Sequence, residues 1–320
     1  LFALSFHAKR GNVEWNMNAS SRKDLAVVIV SWNVRDILSE NLKALFSEGM
    51  NTGFTVIVID NASNDGTIEA VRAAFPQVRV IANKRNEGFA KACNQGIEEM
   101  VAEVGGIEGA PHILLLNPDM LVVPNMLAKT VAYLNVYPDV AVVGAKLLDK
   151  NEQPMHHMRR FPTLRDQLAI LLKLPHIFPG LLRRYYAEDL DLEKEQEVDS
   201  VRGSYFAINK TALQRIGNLD ERYFIWFEEV DYCRMAKEKG MKVMYVPSIV
   251  AEDLVGRSAA LCTTFWKQKV FTHSMILYFK KWYSAWQAVL LQIIRPFALT
   301  SAWITDYFRR KPSRLKNEPL

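Results

Sequence analysis

Cysteine is scarce in this 320-residue chain: Cys93, Cys233 and Cys262 are the only three, and they stand far apart. An odd, sparse set gives neither a disulfide framework nor paired metal-ligand spacing. It fits a reducing cytosolic setting, with each thiol acting as a small buried apolar residue. The opening residues do not read as a secretory leader either. The opening apolar residues give way at once to His7, Lys9 and Arg10, a charge order opposite to that of a signal peptide. Residues 1–23 are therefore expected to form a loose extension, with Met17 as a candidate natural start. The first apolar run is followed by SWNVRD, which contains no glycine and so makes no glycine-rich phosphate loop. Toward the C-terminus, 285–294 and 297–305 are free of charge, but Arg295-Pro296 parts them. A membrane span needs about 20 apolar residues, a central Arg costs roughly 2.5–3.5 kcal/mol on insertion, and Pro adds a kink.

Net acidity is lacking too. The formal charge is +5, and much of the excess sits at Lys280, Lys281, Arg295, Arg309, Arg310, Lys311, Arg314 and Lys316. A basic tail of this kind suits an anionic membrane surface; nucleic acid is not expected as a partner. With 49% hydrophobic and 23% charged residues, the chain has the composition of a folded protein.

What the chain does have is alternation. Residues 25–30 (LAVVIV) are a continuous β-branched run, the pattern of a strand buried on both faces. Ile37, Leu38, Leu42, Leu45 and Phe46 then fall at helical spacing. Strand patterns recur at 54–59, 78–82, 112–116 and 140–143, with helical patterns at 67–75, 89–101 and 126–136. Such alternation predicts an α/β architecture built on a mainly parallel sheet flanked by helices. Beyond 150 the rhythm weakens. Residues 187–198 read as an acidic, solvated stretch, 201–208 as a strand, 229–239 as a helix, and 242–246 as a strand ended by Pro247. Residues 265–310 predict aromatic-rich helices with two open placements. One lays them on a membrane face, with flanking cations toward anionic headgroups; the other packs them as a pair on the domain.

In parallel sheets, ligands bind beyond the carboxyl ends of the strands. Those ends carry Ser31-Trp32-Asn33, then Asp60-Asn61 running on to Thr67, then Asn83 to Gly88 with Asn86 between, then Asn117-Pro118-Asp119. Turn chemistry explains Asn, Asp, Gly and Ser in any single loop. Four such loops on one rim point to a polar site. Farther on, Glu228-Glu229-Val230-Asp231 follows the aromatic approach Tyr223-Phe224-Ile225-Trp226-Phe227. Carboxylates favour a helix's first turn through its dipole, which accounts for Glu228 and Glu229 but not for the aromatic lead-in, suited to a partly dry cleft.

Taken in order, IVSWN, VIVIDNASNDGT, NEGFAKACNQG, LLLNPDM and LDERYFIWFEEVDYCRM resemble the family-2 glycosyltransferases, most closely the rhamnosyltransferase-like subgroup, over roughly residues 25–260. The resemblance implies a GT-A fold with a nucleotide-sugar-binding half over 24–150 and an acceptor-binding half over 151–260; composition adds a helical, basic appendage over 261–320, membrane-associated in one of the two placements above. It implies inverting transfer of a hexose or deoxyhexose, rhamnose by analogy with the subgroup, from a nucleoside diphosphate sugar. The acceptor would be a glycan or a lipid-linked molecule of cell-surface polysaccharide synthesis, met in the cytoplasm at the inner face of the cell membrane.

By the same resemblance, Asp60 holds the nucleobase, and Ser31, Asn33, Asn61, Asn86, Gly88, Asn94 and Asn117 share the nucleotide-sugar pocket. A helix opening near Gly88 would offer its N-terminus to the diphosphate. Asp119 stands in the place of the family's DxD motif, which binds Mg²⁺ or Mn²⁺; Asn117 replaces the first Asp, as is common in the subgroup. Glu229 stands where the general base is expected, and Asp231 is the alternate base or its partner. Asp253 stands about where relatives carry a His before a Gly-x-Ser, here Gly256-Arg257-Ser258, and is a second metal-ligand candidate. Two rivals remain. A non-catalytic carbohydrate-binding or membrane-scaffold relative is kept open by the changes at Asn117, Glu229 and Asp253. A sugar-nucleotide nucleotidyltransferase is disfavoured by the missing glycine loop.

Overall fold

In the computed structural model, which describes residues 24–48, 53–254 and 262–309, the chain begins its sheet with β1 (Leu25–Ser31). This strand runs parallel to β2 (Phe54–Asp60), in register from Leu25↔Phe54 to Ser31↔Asp60. The expected extension 1–23, the segment 256–258 and the cations beyond Arg309 lie outside the described residues. Side chains alternate across a strand, and β1 feeds two cores. Leu25, Val27 and Ile29 pack with Leu38, Leu42 and Leu45 of α1 (Arg35–Glu48), while Ala26 and Val28 pack with Ala90, Cys93 and Ile97 of α3 (Phe89–Glu103). The short helix α2 (Thr67–Ala74) contributes Val71 to the α1 side.

β3 (Arg79–Ala82) pairs parallel with β2, and β4 (His112–Leu116) parallel with β1. Beyond β4 the sheet becomes mixed. β8 (Tyr205–Ile208) lies antiparallel between β4 and β6 (Val140–Leu148). β9 (Lys242–Asp253) runs parallel to β6, and β5 (Met120–Val122) and β7 (Gln196–Glu197) pair antiparallel with β9. The order is β3-β2-β1-β4-β8-β6-β9-β5. α4 (Met126–Val136), α5 (Leu164–Leu171), α6 (Lys210–Ile216) and α7 (Glu228–Glu238) flank it.

Two strand expectations change. Pro247 does not end β9. The ladder jumps from Ala145↔Val246 to Lys146↔Val250, so the proline sits in a bulge, where its missing N–H breaks no pairing. The strand expected at 201–208 starts only at Tyr205: Val201 instead fills the space over Gly144, where a Cβ would come within 2.5 Å of its Cγ1.

The tail forms two helices, α8 (Thr264–Trp282) and α9 (Ala285–Arg309). Met275, Ile276, Tyr278 and Phe279 of α8 join Leu171, Tyr223, Phe227 and Val230 in a third core, to which α9 adds Ala288, Leu291 and Ala298. α9 continues as one helix through Arg295-Pro296. Arg295 turns back onto α8, where Nε donates to Thr272 Oγ1 at 3.0 Å and Nη2 to the Lys269 carbonyl at 3.4 Å.

Candidate active site

The last rung of β1–β2 pairs Ser31 with Asp60. Asp60 is fully buried; one carboxylate oxygen accepts from the Ser63 N–H at 2.8 Å, while the other, like Ser31 Oγ, has no hydrogen-bond partner in the protein. Unsatisfied buried oxygens are expensive, so this rung is built to meet something else. Burial pushes the Asp60 carboxyl up from its ordinary range, against the pull of Ser63.

The neighbouring asparagines do two kinds of work. Asn33, at φ 53°, stitches loops together: its N–H donates to Ser63 Oγ and its Oδ1 accepts from the Asn64 N–H, both at 2.8 Å. Asn61 donates to the Gly88 carbonyl at 3.1 Å and accepts from Asn83 at 2.9 Å, while Asn86 accepts from the Gly88 N–H at 3.0 Å. Gly88 is required here. Its φ is +88°, and a Cβ would come within 2.6 Å of the Phe224 carbonyl oxygen. That carbonyl accepts the Phe89 N–H at 2.6 Å, so the first amide of α3 is already occupied rather than free for a phosphate. Asn94 is a correction. Its amide bonds the Leu219 backbone in both directions (2.9 and 3.0 Å) and Glu221 at 3.0 Å, which makes it a buried clamp and not a pocket residue.

After β4, the Asn117 N–H donates to the Ser204 carbonyl at 2.9 Å, and Asp119 ends the turn beside β9. Met120 pairs with Asp253, and the Leu254 N–H donates to the Asp119 carbonyl at 3.0 Å, so both acidic residues stand on adjoining strand ends. Arg202 reaches the same place, with Nη1 2.8 Å from Asp253 Oδ2. Among the described residues, no group of three or more His, Cys, Asp or Glu side chains gathers to hold an ion.

The start of α7 is strained. Trp226 (φ 67°) and Phe227 (φ 72°) are consecutive left-handed residues without being glycine, at about 1–3 kcal/mol each. α8 holds them there. Phe271 packs 6.2 Å from Trp226 and 5.5 Å from Phe227, Tyr278 packs 5.5 Å from Phe227, and Ser274 donates to the Ile225 carbonyl at 2.9 Å. The strained turn delivers Glu228 and Glu229 together. Each has a buried Oε2 with no hydrogen-bond partner. Burial pushes Glu228 well above the usual carboxylate range, with the Glu229 charge adding to it. Burial also raises Glu229, opposed by its own and the Val230 backbone amides and by the cations Arg202 and Arg159. The two titrate as a pair.

Asp231 is the second correction. It is fully buried and is not among the residues that line the cleft. Its oxygens are taken by Lys281 and Trp282 at 2.6 Å each and by Tyr223 OH at 3.3 Å. Held by these three donors, it ties the tail to the domain.

These strand ends surround a cleft of about 250 Å³. Asn61, Asn86, Gly88, Asn117, Asp119 and Glu229 line it, whereas Ser31, Asn33, Asp60 and Asp253 stand behind or beside the lining. Sequence reasoning missed Arg202 and the tail residues Trp266 and Lys267, which also face it, and assigned no role to Trp32 and Glu228, which do too. Gly203 was the available signal for Arg202, since a glycine in a strand-like run marks a close backbone approach; it lies against Glu229, whose Cβ would be 3.7 Å from an added Cβ. Cys262 lines the cleft too, unlike the buried Cys93 and Cys233.

A parallel βαβ half opening at its strand ends onto a cleft of asparagines and carboxylates, joined to a mixed half that supplies a buried glutamate and a half-buried one beside it, defines the GT-A class of glycosyltransferase fold. A family profile described as "Glycosyltransferase like family 2" matches residues 22–270. The chain belongs to the family-2 glycosyltransferases, in the rhamnosyltransferase-like group. It is similar to N-acetylglucosaminyl-diphospho-decaprenol L-rhamnosyltransferase of Mycobacterium tuberculosis, 27% identical over 229 residues, covering 70% of this chain and 74% of that one. It is also similar to the dTDP-rhamnosyl transferase RfbF of Shigella flexneri, 23% identical over 240 residues, covering 75% and 72%. Among solved structures, the mannosyltransferase PcManGT of Pyrobaculum calidifontis, in complex with GDP-Man and Mn²⁺, shares the fold with a TM-score of 0.54 at 16% identity, over 95% of this chain and 80% of that one.

Proposed function

We propose that this protein is an inverting, metal-assisted glycosyltransferase that moves a hexose or deoxyhexose, with rhamnose favoured by its relatives, from a nucleoside diphosphate sugar to a glycan or lipid-linked acceptor in polysaccharide synthesis. The inner face of the cell membrane is its proposed place of work. One observation carries the reading: Glu229 brings a buried, unpartnered carboxylate oxygen into the same cleft that Asn61, Asn117 and Asp119 line.

In this reading Asp60 and Ser31 take the nucleobase side, where their orphaned oxygens accept N–H groups, with Asn61, Asn86 and Asn117 along the sugar and phosphates. Glu229 takes the proton from the acceptor hydroxyl. The hydroxyl oxygen attacks the anomeric carbon from the face opposite the phosphate, the bond to the phosphate oxygen breaks, and the nucleoside diphosphate leaves. A single displacement inverts that carbon. The raised affinity of Glu229 for a proton suits a base working near neutrality. Two carboxylates on adjoining strand ends, Asp119 and Asp253, suit a hard cation that completes its shell from phosphate and water. Bound there, Mg²⁺ or Mn²⁺ would neutralise the departing diphosphate, with Asp119 and Asp253 as its proposed holders and Arg202 beside them.

The test is nucleoside diphosphate release from a panel of dTDP-, UDP- and GDP-sugars with and without Mn²⁺, in parallel with Glu229→Gln. Metal-stimulated release that collapses in the variant is expected. No release from any donor, or release equal in the variant, removes the reading.

A further inference from the structure

α9 carries a face that nothing among the described residues covers. Trp286, Val289, Ile293, Phe297, Ile304 and Phe308 recur at intervals of three, four and seven, so they form one stripe, and each is between 43% and 77% exposed. Trp303 and Tyr307, stacked at 5.8 Å, border its far end. At 1.5 Å per residue the stripe runs about 33 Å.

By length and composition, residues 285–308 would suffice to cross a membrane. The packing argues for a different attitude. The opposite side of α9 buries Ala288, Leu291, Ala298 and Ala302 along its length, and Arg295 bonds to α8 from the middle of the helix. Near the end, Asp306 accepts the first amides of α8, from Thr264 at 3.0 Å and Phe265 at 2.7 Å. α8 is itself locked to the domain through Asp231 and Lys281. A spanning α9 would have to leave α8 or drag the domain into hydrocarbon. A flat helix keeps every one of these contacts.

Charge chooses the occupant. Residues 262–320 hold ten Lys and Arg against two acidic residues, while the whole chain is only +5, so the rest is net acidic. Pairing two α9 faces would bring two basic segments together; an anionic bilayer attracts both an apolar stripe and a segment of this net charge.

The geometry points to α9 as an in-plane anchor whose stripe is covered by an anionic lipid surface. The cleft follows it down. The residues after the Asp306-capped amides, Trp266 and Lys267, line the cleft, so its mouth is held beside the headgroups. The acceptor is then a membrane-embedded lipid whose reacting sugar lies close to the headgroup level. This last step rests on the transferase reading above; the anchoring does not.

Flotation of the full chain with phosphatidylcholine vesicles, with and without phosphatidylglycerol, tests the anchor in the absence of any nucleotide sugar. The parent should float with the anionic vesicles. Ile293→Glu combined with Phe297→Glu should lose binding at least about tenfold, with donor hydrolysis and melting temperature kept. The milder pair Phe297→Ser and Phe308→Ser gives the same reading should the glutamates unfold α9. A parent that ignores both vesicles, or variants that float as well as the parent, overturns the proposal. A dimer in sedimentation that the variants abolish, without flotation, assigns the stripe to a second copy of the chain. A parent that floats but hydrolyses no donor leaves the anchor standing and removes the transferase reading.

Discussion

Asp231 and Lys281, fifty residues apart in sequence, meet at 2.6 Å inside the protein, and the indole N–H of Trp282 closes on the other oxygen of the same carboxylate. The pair fastens α8 to α7, directly behind the strained turn that presents Glu228 and Glu229. Lys281→Met strands a fully buried carboxylate, and breaking such a pair from one side costs about 3–5 kcal/mol. Urea unfolding should show an unfolding free energy lowered by that amount and a correspondingly earlier midpoint. Asp231→Asn should keep turnover within a few-fold at temperatures where the protein stays folded, which separates a fastening role from a proton-accepting one.

Glu229→Gln keeps the size of the side chain and removes the base. Turnover is expected to fall by roughly 10²–10⁴ while donor binding, read by calorimetry, is unchanged. A variant that keeps parental turnover would hand the proton to another group.

As the proposed base, Glu229 would work deprotonated, so the acidic limb of the rate profile should lie above the ordinary carboxylate range, because burial holds its proton. Arg159 and Arg202 oppose that shift, so Arg159→Met should move the limb to higher pH. Stability carries the sign of the same effect. A carboxyl whose folded pKa is raised binds more protons folded than unfolded, so its contribution is present below the unfolded pKa and fades as pH rises through the folded one. Glu228→Gln should therefore gain melting temperature over the parent as pH climbs through that window and lose the advantage in acid.

The strands with unbroken apolar runs were legible because burial on both faces leaves one pattern in sequence, and β1, β2 and β4 appear where LAVVIV, FTVIVI and HILLL stand. The polar rim was legible for a related reason: loops after such strands have one common side. What could not be read were contacts with distant partners. Asp231 looks like a catalytic neighbour until Lys281 arrives from the tail, and Asn94 looks like a pocket residue until Leu219 claims its amide. Arg295 read as the interruption of a hydrophobic stretch; only the packing of α9 on α8 turns it inward. Pro247 read as a strand end because a bulge is a property of two strands, not one.

Gly88→Ala should be poorly tolerated. The backbone sits at φ +88°, and the new methyl would meet the Phe224 carbonyl at 2.6 Å. A loss of about 1–3 kcal/mol is expected from the strained backbone, together with weaker donor binding, since Phe224 lines the cleft.

Chelation should silence the enzyme, and Mn²⁺ or Mg²⁺ should restore it. Asp119→Asn and Asp253→Asn should each need more metal for half-maximal rate than the parent. Equal metal response in parent and Asp119→Asn would place the cation elsewhere.

β8 lies between β4 and β6, yet it is made from residues 205–208. The central seam of the sheet therefore stays open while the ribosome delivers the first two hundred residues, and both flanking strands wait with bare edges. A fragment stopped near residue 150 would carry that unfilled gap permanently. It should aggregate through those edges and should not survive as an isolated donor-binding module.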